Sequence, residues 1–244
     1  MNKKWTIDLP RPSDAELSLL CIPYAGASAG MFSSWQKAME DIAVYPMLLP
    51  FRDARRNEPM PDSVAALADS FVSENEELLT GNYAIFGHCT GAVLGYAIAA
   101  EAQKRYGKAP RILIVSNSAE PGVIPPDAKE LCGADDNKIT EYLRRDALVD
   151  VAILDMPEFT EYYYPVLRAD FTLYANNPSA CDKLMCPVTA LYDVNDKKIA
   201  SYDVMRWSRL TDSFSSIQVD GGHFSVIQNE DEIISIVKNI IRNL

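Results

Sequence analysis

Within Tyr83-Ala84-Ile85-Phe86-Gly87-His88-Cys89-Thr90-Gly91-Ala92, an apolar run of strand character stops at Gly87 and an Ala-rich helical pattern starts after Thr90. The residues between them, Gly-His-Cys-Thr-Gly, have the G-x-nucleophile-x-G arrangement of a nucleophile elbow, with cysteine where serine is commoner. A strand that turns at once into a helix crowds its own backbone two residues before and two residues after the nucleophile. Glycine at Gly87 and Gly91 avoids that collision. The turn pushes the sulfur of Cys89 to its tip and aims the free N–H groups of the helix start at whatever the sulfur attacks.

Working outward, strands and helix-length segments alternate on both sides of the elbow. Leu17–Ile22 reads as a strand closed by Pro23, followed by the small-residue loop Tyr24-Ala25-Gly26-Ala27-Ser28-Ala29-Gly30. A helix is expected over Met31–Asp41, a strand over Ala43–Leu49 and a helix over Ser63–Leu79 with Ser63 as N-cap. After the elbow helix (Thr90–Tyr106), strands are expected at Arg111–Ser116, Val188–Tyr192 and Phe214–Val219. Helices are expected at Ser201–Leu210 and Glu230–Leu244. Such alternation implies right-handed crossovers and a mostly parallel central sheet flanked by helices. From Glu120 to Pro178 the pattern changes, with prolines, acidic residues and the run Tyr162-Tyr163-Tyr164-Pro165. That length is too great for a plain loop, so an inserted helical lid is expected over the sheet's C-terminal edge, where sites in α/β proteins lie. The tyrosines are expected to pack the lid.

The nucleophile needs a base. The chain has two histidines. His88 leaves the turn in a different direction from the sulfur, which leaves His223 in Asp220-Gly221-Gly222-His223-Phe224, after the last strand. Nucleophile, then acid, then histidine is the chain order of an α/β-hydrolase. The acid is expected just after the preceding strand, in Tyr192-Asp193-Val194-Asn195-Asp196. Asp196 is preferred because its loop can carry it across to His223, and Asp193 is left to stabilise the turn. His223 would first deprotonate the thiol and then activate the acceptor, with Asp196 fixing its tautomer. An oxyanion hole requires two preorganised N–H groups. Thr90 supplies one, and Ala25 the other, with Gly26 as second choice.

The composition narrows the function. A chain of 244 residues with 48% hydrophobic and 23% charged residues fits one α/β domain, taken as residues 1–244. A net charge of −11 argues against nucleic acid and anionic membranes as partners. No apolar run approaches the ~20 residues of a membrane span, and the start lacks a signal-peptide core. Five cysteines without a C-x-x-C pair suit a reducing compartment, so a cytoplasmic monomer is expected. Cys21 is assigned to the core, and Cys132, Cys181 and Cys186 to lid or loop. No phosphate loop, dinucleotide fingerprint or metal-ligand cluster is present, so no bound cofactor is expected.

Together these motifs resemble the type II thioesterases of nonribosomal peptide and polyketide assembly lines. The resemblance rests on Pro23-Tyr24-Ala25-Gly26-Ala27-Ser28 with Phe32 and Trp35, and on Leu49-Pro50-Phe51-Arg52-Asp53-Ala54-Arg55. It continues through Gly87-His88-Cys89-Thr90-Gly91, Leu167-Arg168-Ala169-Asp170, Trp207 and Gly221-Gly222-His223-Phe224. It implies an α/β-hydrolase fold with a helical lid, a Cys89/Asp196/His223 triad, and substrates carried on the phosphopantetheine arm of an acyl or peptidyl carrier protein. The chain departs from the family pattern at four places. Cys89-Thr90 stands for the usual Ser-Met, Phe51 for glycine and Tyr24 for histidine. Tyr174-Ala175-Asn176-Asn177 replaces an acidic–aromatic continuation. A cysteine nucleophile exchanges one thioester for another and leaves an acyl enzyme reactive toward amines and thiols. Acyl transfer is therefore expected beside hydrolysis. Two alternatives are a hydrolase of small esters or lactones, which favours a lid-less site, and a non-catalytic carrier-binding module, which favours a buried Cys89 or a distorted oxyanion loop.

Overall fold

The computed structural model describes residues 2–145, 149–176 and 182–244. Asn177, Pro178 and Cys181, which figure in the sequence expectations, lie outside the described residues. Six strands form one sheet: β1 (Leu17–Ile22), β2 (Ile42–Pro46), β3 (Tyr83–His88), β4 (Leu113–Ser116), β5 (Val188–Tyr192) and β6 (Phe214–Gln218). Their order is β2-β1-β3-β4-β5-β6, and every pairing is parallel. A parallel sheet must be covered on both faces, and the strand sequences meet that need with near-continuous apolar runs. All of β3 is buried.

Period-2 alternation divides those side chains between two cores. Leu20, Ile22, Ile85, Leu113, Val115 and Val188 face the helices Val64–Glu74 and Thr90–Tyr106. Leu19, Cys21, Val44, Ala84, Phe86 and Ile114 face Trp35, Met39 and the C-terminal helix Glu230–Arg242. Each large side chain fully withdrawn from water contributes roughly 1.5–3 kcal/mol, and the elbow strand lies between both layers. Ser63 caps its helix, its hydroxyl accepting from Ala66 N–H at 3.1 Å.

Three helical expectations need correction. Met31–Asp41 is a 3-10 turn (Ala29–Phe32) followed by the four-residue helix Trp35–Ala38. Here Phe32 and Trp35 pack edge-on against each other and onto Phe86, so tertiary contacts rather than helical period set the spacing. Ser63–Leu79 is interrupted at Asn75, whose side chain turns back to Phe71 C=O and accepts from Asn2 N–H. Ser201–Leu210 tightens to a 3-10 turn from Arg206.

Between β4 and β5 lie the helices Pro126–Leu131, Asp136–Arg145, Val151–Leu154 and Pro157–Ala175. They share a small core of their own (Leu131, Ile139, Leu143, Leu167, Phe171), and Ala25 of the loop after β1 is part of it. Of the tyrosine run, Tyr164 is buried in this core and Tyr163 packs against it, as expected, whereas Tyr162 is exposed. No helix among the described residues is long and apolar enough to cross a membrane. Cys21 is buried in the core and Cys132 is exposed at the end of Pro126–Leu131. Cys186 lies in the loop before β5, as expected, but is buried against the main core, and burial pushes its thiol up to about 12.

Candidate active site

Cys89 follows the last residue of β3 and precedes the helix Thr90–Tyr106, with φ 51° and ψ −119°. Its N–H is held by Ser116 C=O of β4 at 2.8 Å, which extends the β3–β4 ladder into the turn. The glycines are there for the steric reason the sequence suggests, with one difference. A Cβ on Gly87 would sit 2.4 Å from Gly91 C=O, whereas a Cβ on Gly91 would sit 2.4 Å from Ile22 C=O in β1. The elbow is thus pinned against the neighbouring strand as well as against itself. Cys89 is partly exposed at its tip.

His223, in a 3-10 turn after β6, brings its ring to the same point. Its Nδ1 is 2.8 Å from Asp196 Oδ2, and both side chains are buried. The other ring nitrogen faces Cys89. Burial alone would lower the imidazole's pKa. The negative charge of Cys89 and the hydrogen bonds to Asp196 and Cys89 outweigh burial and push it up to about 10. For Asp196, burial opposes ionisation. The His223 hydrogen bond and charge, with N–H donation from Ile199 and Lys198, hold its carboxyl below the usual range. Asp193 does what was expected of it: it accepts from Asn195 N–H at 2.7 Å and from Gly222 N–H at 2.6 Å, fixing the histidine loop.

His88 is buried with its Nδ1 3.0 Å from Ser116 Oγ. Burial, reinforced by the charge of His223, pushes it down to about 3, so the ring is neutral. This agrees with the sequence reading, which set it aside as a base.

The expected N–H donors sort themselves by partner. Gly26 N–H is already committed to Asp170 Oδ2 at 2.6 Å. Ala25 N–H has no acceptor among the described residues, and Thr90 N–H is an unpaired group of a helix's first turn. Ala25, Thr90, Cys89 and His223 all line one cavity of about 270 Å3, which is walled further by Tyr24, Tyr163, Leu167 and Phe171.

Sequence reasoning missed two supports of this site. Asn117, one residue beyond β4, donates from Nδ2 to Asp196 Oδ2 at 3.0 Å and to Gly222 C=O at 2.9 Å, tying acid and histidine loops together. A polar residue at a strand's C-terminal end was the available signal. Arg52 and Asp170 form a fully buried ion pair. Arg52 also donates to Ala27 C=O at 2.9 Å, so the pair grips the loop that carries Ala25 from both sides. Burial works against the guanidinium charge, and the charge and hydrogen bond of Asp170 restore it and raise the pKa.

A parallel sheet with a tight Gly-x-Cys-x-Gly strand-to-helix turn after β3, a carboxylate after β5 and a histidine after β6 is the α/β-hydrolase fold. Within that class, the thioesterase domain family matches residues 18–241, and the chain belongs to it. The chain is 31% identical over 236 residues to the thioesterase PikA5 of Streptomyces venezuelae, covering 94% of this chain and 82% of that one. It is 27% identical to the gramicidin S biosynthesis protein GrsT of Aneurinibacillus migulanus, covering 98% and 94%. Among solved structures, RedJ, the thioesterase from the prodiginine biosynthetic pathway in Streptomyces coelicolor, superposes with a TM-score of 0.84 at 29% identity, over 96% of this chain and 94% of that one.

Proposed function

We propose that the protein takes acyl groups from carrier-protein phosphopantetheine thioesters onto Cys89, in a natural-product assembly line, and releases them to water or hands them to an amine or thiol. The observation that carries this reading is the imidazole of His223 between Asp196 and Cys89, at the wall of a cavity large enough for an acyl group. The biosynthetic setting follows from the relatives, a thioesterase and a gramicidin S biosynthesis protein among them.

In this reading His223 takes the proton of the Cys89 thiol as the sulfur engages the substrate. The sulfur attacks the thioester carbonyl carbon, a new C–S bond forms, and the carbonyl electrons move onto oxygen. That oxyanion is stabilised by the N–H groups of Ala25 and Thr90, where losing one donor costs about 3 kcal/mol. Collapse breaks the bond to the pantetheine sulfur, which leaves with the proton of His223. The neutral imidazole then deprotonates the incoming acceptor, which attacks the acyl–Cys89 thioester and regenerates the thiolate. Asp196 keeps Nδ1 of the ring facing itself throughout. The helical segment after Glu120 acts as the lid, and Tyr163, Leu167 and Phe171 supply its share of the cavity wall. No bound cofactor enters this scheme.

The choice of sulfur favours transfer. Thioester exchange is near thermoneutral, and amines and thiols attack the product better than water does. Neither alternative gains support: the cavity is roofed by a long helical insertion, and Cys89 is partly exposed, with Ala25 N–H unpaired among the described residues. The test is mass spectrometry of the protein after incubation with an acyl-loaded carrier. The acyl mass is expected on the wild type and absent from Cys89→Ala. Product analysis with water, amine and thiol acceptors then assigns the fate of the acyl group. No acyl mass on the wild type, under conditions that trap slow deacylation, overturns the reading.

A further inference from the structure

Beside Cys89, on the wall formed by the elbow helix, a second and much smaller hollow of about 20 Å3 opens from the same residues. Its lining is mostly apolar (Val93, Ala119, Ile199 among it), with Cys89, Thr90, Ser118 and Tyr174 as the polar members. Thr90 is buried, and among the described residues its Oγ1 makes no hydrogen bond of good geometry. Tyr174 is also buried. Burial, with the nearby charge of Asp170, holds its phenol protonated, and its hydroxyl lies near enough to Thr90 and Cys89 for each to act on it. A buried hydroxyl left unpaired costs free energy, so its presence calls for a partner that arrives from outside. The volume admits about one water-sized group.

Thr90 is the residue after the nucleophile. Its N–H faces the acyl oxygen in the reading above, so its side chain flanks the carbons next to that carbonyl. An ammonium in this hollow would find no carboxylate on its lining, and an unpaired charge there is strongly disfavoured. A neutral hydroxyl would give Thr90 Oγ1 a partner beside the Tyr174 hydroxyl. We propose that the Thr90–Tyr174 hollow receives a hydroxyl carried by the bound acyl chain, and that it thereby selects short acyl groups bearing a hydroxyl near the thioester carbonyl over their all-carbon isosteres. This rests on the carrier-thioester reading and names its cargo.

The test compares the rate of Cys89 acylation by carriers loaded with butyryl, 3-hydroxybutyryl and 2-aminobutyryl groups. The hydroxyacyl group is expected to load about tenfold faster than butyryl, the worth of one hydrogen bond. The ratio should fall to near one in Thr90→Val and be retained in Thr90→Ser. Tyr174→Phe should lower it in part. Equal rates for the hydroxylated and all-carbon groups on the wild type, a ratio untouched by Thr90→Val, or faster loading of the amino group each overturn the subsite while leaving the thioester reading intact. The wild-type comparison decides the matter alone if Thr90→Val does not fold. Absence of any acyl adduct overturns both.

Discussion

Removing the carboxylate of Asp170 should unfold much of what holds the first loop. Asp170 and Arg52 have side chains 1% and 2% exposed, so no water can replace the lost partner. In Asp170→Ala the guanidinium keeps only carbonyl hydrogen bonds, to Ala27 at 2.9 Å and Pro50 at 3.4 Å, and the weaker influence of the Asp53 charge in place of its direct partner. Leaving a buried charge unpaired in this way costs about 3–5 kcal/mol. With a urea slope of about 3 kcal/mol/M, the unfolding midpoint should drop by roughly 1 M or more. Replacing both partners by apolar residues, Arg52→Met with Asp170→Leu, removes the stranded charge and should return most of that stability. Gly26 N–H, however, loses its 2.6 Å acceptor in both variants. The double variant should therefore be stable yet slow to acylate Cys89, because the peptide next to Ala25 is no longer fixed. Urea titrations followed by tryptophan fluorescence, with acyl-adduct rates on the same samples, separate the two effects. A loss below about 1 kcal/mol in Asp170→Ala, or a double variant no more stable than the single, would refute the reasoning.

Other perturbations test the rest of the site. The two histidines act in opposite directions on stability. His223, pushed up to about 10, keeps a proton that the unfolded chain releases above ~6.5, so its contribution is complete below ~6.5 and is lost as pH rises toward 10. His88, pushed down to about 3, stays neutral while the unfolded chain protonates, so stability is lost as pH falls below ~6.5. Urea midpoints should peak near pH 6.5, with the alkaline limb flattened in Cys89→Ala; a midpoint still climbing between pH 7 and 9 contradicts this. Gly91→Ala drives a Cβ to 2.4 Å from Ile22 C=O and 2.7 Å from Pro23 C=O, both backbone atoms, and should cost more than about 2 kcal/mol together with acylation. A folded, fully active Gly91→Ala protein would show that the elbow is not pinned there. Asn117→Gly keeps the backbone free to hold φ 44° but removes the amide that donates to Asp196. It should lower kcat about tenfold with KM little changed, the worth of one hydrogen bond to a charged group. An unchanged kcat would remove Asn117 from the account.

What the sequence made legible was what depends on local period and on chain order. The strand ends at Ile22, Ser116 and Tyr192 and the helix Thr90–Tyr106 follow from apolar runs punctuated by proline, glycine and polar residues. The meeting of Cys89, Asp196 and His223 follows from the order of loops along one edge of a parallel sheet. What escaped was set by contacts between distant residues. Nothing near Arg52 announces that its partner is Asp170, 118 positions away on a helix of the insertion. The break at Asn75 depends on a side chain reaching Asn2. Cys186 reads correctly as a loop residue, but only the folded packing shows that its loop is buried against the core.

The backbone itself explains why the site lies where it does. Among the described residues, the non-glycine positions with positive φ are Phe51, Asp53, Cys89 and Asn117, and each lies past the C-terminal end of β2, β3 or β4. A left-handed residue with a side chain costs about 1–2 kcal/mol, so four in one region represent a considerable strain. The ladder opposes it. Cys89 N–H is held by Ser116 C=O at 2.8 Å, and Asn117 N–H by Leu191 C=O at 2.9 Å, each continuing the hydrogen bonding of the strands below. Phe51 N–H is held by Arg55 C=O at 3.1 Å, and Asp53 N–H by the Tyr162 hydroxyl at 2.9 Å, a contact supplied by the helical insertion. Strained residues at the ends of cooperative ladders are the first to relax when pairing at that edge weakens. Substitutions that loosen the C-terminal ends of β3 and β4 should therefore abolish acylation at urea concentrations where the sheet is still folded, because the geometry of Cys89 is maintained by the same bonds that end the sheet.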